Sequence, residues 1–179
     1  YTVAQFIYGN GIGYRADKID SADLIAQGYD SMWNPAYKGR LAVPDSYRDA
    51  ISLALFQAGI TDVNTTDAAT ITAAQENLIR LRDATQPKVD ILSYQEIPAG
   101  NRDIAYMWSG DILIAPWNLP EGTSTDVLGF WYPEQTITAN DFLCIPKESK
   151  APVLAHRFIN YLLDNDVALK NQSYVGYQP

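Results

Sequence analysis

The residues best placed to meet a ligand are Trp108 and Asp111, in the run Asp103-Ile-Ala-Tyr-Met-Trp-Ser-Gly-Asp-Ile-Leu-Ile-Ala115. Ile104 to Trp108 is a short apolar run of the kind that forms a strand covered on both faces. Gly110, between Ser109 and Asp111, lets the chain turn tightly, and Ile112 to Ala115 give the following helix an apolar face. A large aromatic and a carboxylate three residues apart, at the carboxyl end of a strand, lie where α/β sheets bind ligands. The competing reading is a core tryptophan and a helix-capping aspartate.

Other elements must position that tip. Tyr1 to Ile7 is β-prone, and Gly9, Gly11 and Gly13 punctuate the next stretch without the pattern of a dinucleotide or phosphate loop. Ser21 is expected to cap a short helix with Leu24 and Ile25 inside. Arg40 to Val43 is a strand, and Ser46 with Asp49 has capping-box spacing before a helix that places Tyr47, Ile51, Ala54, Leu55 and Ala58 at helical intervals. Asp67 is expected to cap a long helix to about Ala84, with Ile71, Ala74, Leu78 and Leu81 on one face and Glu76 and Arg80 pairing on the other. Further strands lie at Val89–Leu92, Val127–Tyr132 and Phe142–Ile145. The closing helices run from Pro152 to Leu163, with Leu154, Phe158, Ile159, Leu162 and Leu163 inside, and from Asp166 to Ser173. Strands alternating with helices predict an α/β fold, a largely parallel sheet flanked by helices.

The composition narrows the function. Thirteen basic against twenty-one acidic residues leave a net charge of −8, which argues against a nucleic-acid partner and is compatible with cationic ligands. Cys144 is the single cysteine, so no intrachain disulfide or thiolate metal cluster can form. His156 is the single histidine, expected on a helix with no acidic residue or cysteine close by in sequence, which fits surface or packing use. No metal or cofactor is called for. No apolar run is long enough to span a membrane, and a secretory leader is either absent or already removed.

Several phrases, in order along nearly the whole chain, resemble the extracellular solute-binding proteins of bacterial ABC importers, the spermidine/putrescine-binding branch most of all. They are Met32-Trp-Asn-Pro-Ala-Tyr-Lys-Gly-Arg-Leu-Ala-Val-Pro-Asp45, Tyr106-Met-Trp-Ser-Gly-Asp111, Asn140-Asp-Phe-Leu-Cys-Ile-Pro146, Phe158-Ile-Asn-Tyr-Leu-Leu-Asp164 and Val175-Gly-Tyr177. The resemblance implies the periplasmic binding protein-like II fold, two lobes closing on a ligand about a hinge. It implies that residues 1–134 form the second lobe with hinge crossings at both ends, at Tyr1–Ile7 and Phe130–Glu134. Residues 135–179 would be part of the first lobe, most of which has no counterpart here, as in a fragment. It also implies a periplasmic or extracytoplasmic mature protein that performs no reaction and hands its ligand to a membrane permease. Exposed lobe surfaces of a fragment would favour dimerisation or strand exchange.

Carried over residue by residue, the family's site implies that Trp108 packs on the aliphatic spacer of a polyamine, that Asp111 helps hold an amine, and that Asp141 pairs with an ammonium group. Asp49 falls at an acidic ligand position, shorter here than the usual Glu. Ser46 stands where an Asp is often found, and Tyr177 matches an aromatic near the end of the cleft. Carboxylates that offset desolvation of each ammonium and aromatic faces for the methylenes are what an alkyl diammonium requires. The family's aromatic just before Asp141 is replaced by Thr138 or Ala139. That change and Ser46 argue against spermidine, and the change at Thr138 or Ala139 motivates another solute on the same fold: an amino acid, opine, thiamine-like cation or small anion. From a different class, Asp111 and Asp141 would serve a hydrolase as an acid–base pair.

Overall fold

The computed structural model describes residues 2–177. One strand, β1 (Thr2–Arg15), runs through the whole fold. After it come α1 (Ser21–Gln27), β2 (Leu41–Val43), α2 (Tyr47–Gln57), α3 (Ala68–Thr85), β3 (Lys88–Val89) and α4 (Ser93–Glu96). Next are β4 (Ile104–Trp108), α5 (Ser109–Ile114), β5 (Leu128–Trp131), β6 (Thr138–Cys144), α6 (Pro152–Leu162) and α7 (Asn165–Val175).

The strand order is β3-β2-β4-β1-β5, with β6 also paired to β1. β3, β2 and β4 are parallel neighbours, whereas β1 runs antiparallel to β4 and to β5. Four of these five strands therefore share one direction and β1 opposes them. β1 also changes partner along its length: residues from Thr2 to Gly9 pair with β6, and those from Asn10 onward pair with β4 and β5.

The period-two alternation of strand side chains divides the core between the two faces of the sheet. Ile12, Tyr14, Leu41, Val43, Ile104 and Tyr106 join Leu24, Met32, Leu53 and Leu81 on one face. Ala42, Ala105 and Met107 meet Ile97 and Ile112 on the other. At the foot of β4, Arg40 clasps Asp103 through Nη2–Oδ1 at 2.7 Å and Nε–Oδ2 at 3.0 Å, and Lys18 adds a third contact at 2.8 Å. Burial would raise the Asp103 carboxyl, but its bonds to Arg40 and Lys18 outweigh that and hold it below the ordinary range. The opposite end of β4 is left to carry Trp108.

Several local expectations are revised. Asp20, not Ser21, caps α1, accepting the N–H groups of Ala22 and Asp23. Asp67 does cap α3, but Arg80 donates to Asn77 Oδ1, three residues away, instead of pairing with Glu76. Ile25, Tyr47, Ile71, Leu154, Phe158 and Leu163 are exposed, and Ile159 is the buried member of α6. β3 is only two residues long, and β6 begins at Thr138, well before the apolar run that marked it. Backbone pairing with β1, and not side-chain burial, makes that polar stretch a strand.

Gly9, Gly11 and Gly13 lie inside β1 and not in a loop, because each makes room for a neighbouring side chain. A methyl group on Gly11 would collide with the Phe130 ring and lie 2.7 Å from the Trp131 carbonyl oxygen, a backbone atom unable to swing aside. On Gly9 it would meet only the tip of Tyr132, which is half exposed. Gly11→Ala should therefore lower stability in urea unfolding by about 1–3 kcal/mol, and Gly9→Ala by less than about 1 kcal/mol. Equal losses would show that the strand lacks this packing.

Candidate functional site

Trp108 ends β4 and is half-buried, its ring edge-on to Tyr8 with centroids 6.4 Å apart. Tyr8 is likewise edge-on to Tyr177 at 5.8 Å, and Phe6 lies 6.3 Å from Tyr177. Four aromatic rings from β1, the end of β4 and the segment after α7 thus form one contiguous surface. Tyr8 is its centre. Sequence reasoning missed this residue, although it lies directly across the ladder from Ala139, where the expected aromatic is lacking. Opposed residues of an antiparallel pair share a face.

The carboxylates surround that surface. Asp111 is buried at 7% exposure and accepts a 2.8 Å hydrogen bond from the Tyr177 hydroxyl. It caps nothing: Trp108 occupies the N-cap position of α5 without a side-chain bond, and Ser109 Oγ accepts from the Gly9 N–H at 3.2 Å. Close approach of Tyr177 depends on Gly110, since a Cβ there would lie 2.5 Å from the tyrosine ring. Gly176, at φ +79°, turns the chain from α7 toward α5.

Asp49 and Ser46 complete only half of a capping box. The Ser46 hydroxyl accepts the Asp49 N–H at 3.4 Å. The Asp49 carboxylate does not return to the Ser46 N–H, which donates to the Pro44 carbonyl at 2.8 Å; it accepts from Asn10 Nδ2 at 2.8 Å instead. Asp141 is exposed on β6, in register with Phe6. Its charge, with that of Asp49, acts on the Tyr8 hydroxyl, which burial chiefly and both carboxylates secondarily hold above its usual range. Tyr177 is raised too, first by burial, then by Asp111, with Asp141 and Tyr8 contributing. Tyr8 therefore meets the rings of Trp108 and Tyr177 and feels the charges of Asp49 and Asp141, and Asp111 joins them through Tyr177, while Ser46 serves as the cap of α2.

Among the described residues, no ion pair involves Asp49, Asp111 or Asp141; the lysine and arginine bridges go to Asp17, Asp83, Asp90, Glu96 and Asp103. No cluster of three or more metal-ligating side chains occurs among them. His156 Nδ1 lies 2.8 Å from the Pro152 carbonyl, which can only accept, so that nitrogen carries the proton.

Burial pushes the Asp111 carboxyl up to about 6, against the lowering effect of the Tyr177 bond. A carboxyl raised from its ordinary 3.8 contributes stability that is complete below about pH 4 and is lost as pH rises through about 6. Asp111→Asn keeps an acceptor for Tyr177 and carries no charge. It should stabilise the protein above pH 7 by on the order of 1–3 kcal/mol, with the difference vanishing near pH 4. Denaturant unfolding across that range measures it, and a pH-independent difference would contradict the burial of a charged Asp111.

Residues 4–179 match the family described as bacterial extracellular solute-binding protein. The spermidine/putrescine-binding periplasmic protein of Escherichia coli (strain K12) is 32% identical over 182 residues, a match covering 99% of this chain and 49% of that protein. A putrescine/cadaverine-binding protein of Pseudomonas aeruginosa is 26% identical over 170 residues, covering 92% and 48%. The chain thus spans about half the length of the curated relatives it matches. A putative spermidine/putrescine ABC transporter structure from Listeria monocytogenes superposes with a TM-score of 0.83 at 24% identity, covering 99% of this chain and 52% of the other. The Atu4243-GABA receptor gives 0.77 at 21% identity, covering 100% and 53%. These likenesses establish the periplasmic binding protein-like fold, and with the match across the chain they make it a member of the bacterial extracellular solute-binding proteins.

Proposed function

We propose that the chain forms one wall of an interlobe cleft that captures a polyamine of the putrescine or spermidine kind and presents it to the permease of an ABC importer outside the cytoplasm. The observation that carries this reading is the set of three carboxylates, Asp49, Asp111 and Asp141, near the Trp108–Tyr8–Tyr177 surface and, among the described residues, in no ion pair. A diammonium supplies the missing charge, and its methylenes suit the aromatic faces, where cation–π contact adds roughly 0.5–2 kcal/mol. Tyr8, opposite Ala139, supplies an aromatic wall where the relatives' pattern led us to expect one on β6.

The division of labour between lobes matches the change of partner in β1. Residues 1–134 would make the second lobe and 135–179 the part of the first lobe present here, with residues 1–7, of which Tyr1 lies outside the described residues, and Phe130–Glu134 as the crossings. An amino acid or an anion on the same fold would need a positive group for its carboxylate. The described surroundings of Tyr8 offer none. The raised Asp111 carboxyl would suit a general acid, but its tyrosine bond also suits a binding role, and the family is one of solute-binding proteins.

Calorimetry on the full-length protein, with both walls of the cleft present, tests the proposal with putrescine and spermidine. Binding of either is expected, with Asp111→Asn and Asp141→Asn each weakening it by tenfold or more. Because protonation removes the Asp111 charge, affinity should fall as pH drops through about 6, and Asp111→Asn should flatten that dependence. No heat with any amine, or an unchanged Kd for both variants, would overturn the amine reading.

A further inference from the structure

We infer that Asn10 is a positioning residue of this site, acting on the amine through Asp49; the inference rests on the polyamine reading above. Asn10 is fully buried at the point in β1 where pairing passes from β6 to β4 and β5. Its N–H donates to the Ile137 carbonyl at 3.2 Å and its carbonyl accepts from Thr136 Oγ1 at 2.7 Å, so its backbone is tied to the segment that leads into β6. It faces Trp108 across the ladder, and its side chain donates to Asp49 at 2.8 Å. One residue therefore joins three segments that carry site groups.

The orientation of the carboxamide is fixed by charge. Only its NH2 end attracts a carboxylate, so Nδ2 points to Asp49 and Oδ1 points away. Oδ1 is buried without a hydrogen-bond partner among the described residues, as is the indole nitrogen of Trp108. An unsatisfied buried acceptor is destabilising, and an apolar residue such as Ile12 or Tyr14, next on the same face, would fill the position without that cost. The asparagine is explained by what its other end does. It holds the Asp49 carboxylate, for which α2 itself supplies no hydrogen-bond donor among the described residues.

The test is a double-mutant cycle read by putrescine calorimetry at constant pH and salt. Asn10→Ala is expected to raise the Kd about tenfold in the unaltered protein and less than twofold when Asp49→Asn is already present. Asn10→Val, better suited to a strand, repeats the measurement should the alanine variant melt early. The same loss in both backgrounds, or an unchanged Kd for Asn10→Val or Asp49→Asn, would overturn the inference while leaving the amine reading in place. Failure of the unaltered protein to bind putrescine or spermidine would overturn both.

Discussion

Everything in this fold hangs on the two sets of backbone hydrogen bonds that β1 makes in succession. Fourteen residues form one strand, and its partner changes between Gly9 and Asn10. The alternation of side chains along it places Tyr8 and Asn10 on the face where Trp108, Asp49 and Tyr177 arrive, while Gly9, Gly11 and Gly13 clear the opposite face for Tyr132, Phe130 and Met107. A shift by one residue would exchange the two faces and dismantle the core and the aromatic surface together.

The electrostatic character of the site comes from the immediate surroundings of each acid. Asp103 is gripped by Arg40 and Lys18 and serves structure. Asp111, as deeply placed as any acid in the chain, is bonded among the described residues only to a neutral tyrosine, so its charge is costly where it stands. Asp49 is held by a neutral amide and Asp141 stands exposed beside Phe6. Asp103 is thus paired with basic groups, whereas among the described residues Asp49 and Asp111 are bonded only to neutral ones, a contrast that supports the proposed binding of a cationic guest.

Much of this was legible in the residues. The apolar run of β4 and the turn at Gly110 fall where expected because both faces of that strand are buried, and Ser46 and Asp67 cap helices through local bonds. The same locality misled at Ser21, where the Asx bonds of Asp20 prevail. Tyr8 carried no signal, since its meaning comes from Trp108 and Tyr177, a hundred and more residues away. Leu154, Phe158 and Leu163 were expected inside because periodicity marks the face that seeks cover, without stating whether cover is present.

The central claim is that distant segments meet at Tyr8 to form one aromatic surface, which we propose receives a positively charged guest. A crystal structure of the protein with putrescine bound tests it most directly. The alkyl chain should lie against Trp108 and Tyr8, with an ammonium nitrogen within hydrogen-bonding distance of Asp111 or Asp141. A diamine seated away from Tyr8, or one whose nitrogens meet none of Asp49, Asp111 and Asp141, would contradict the account.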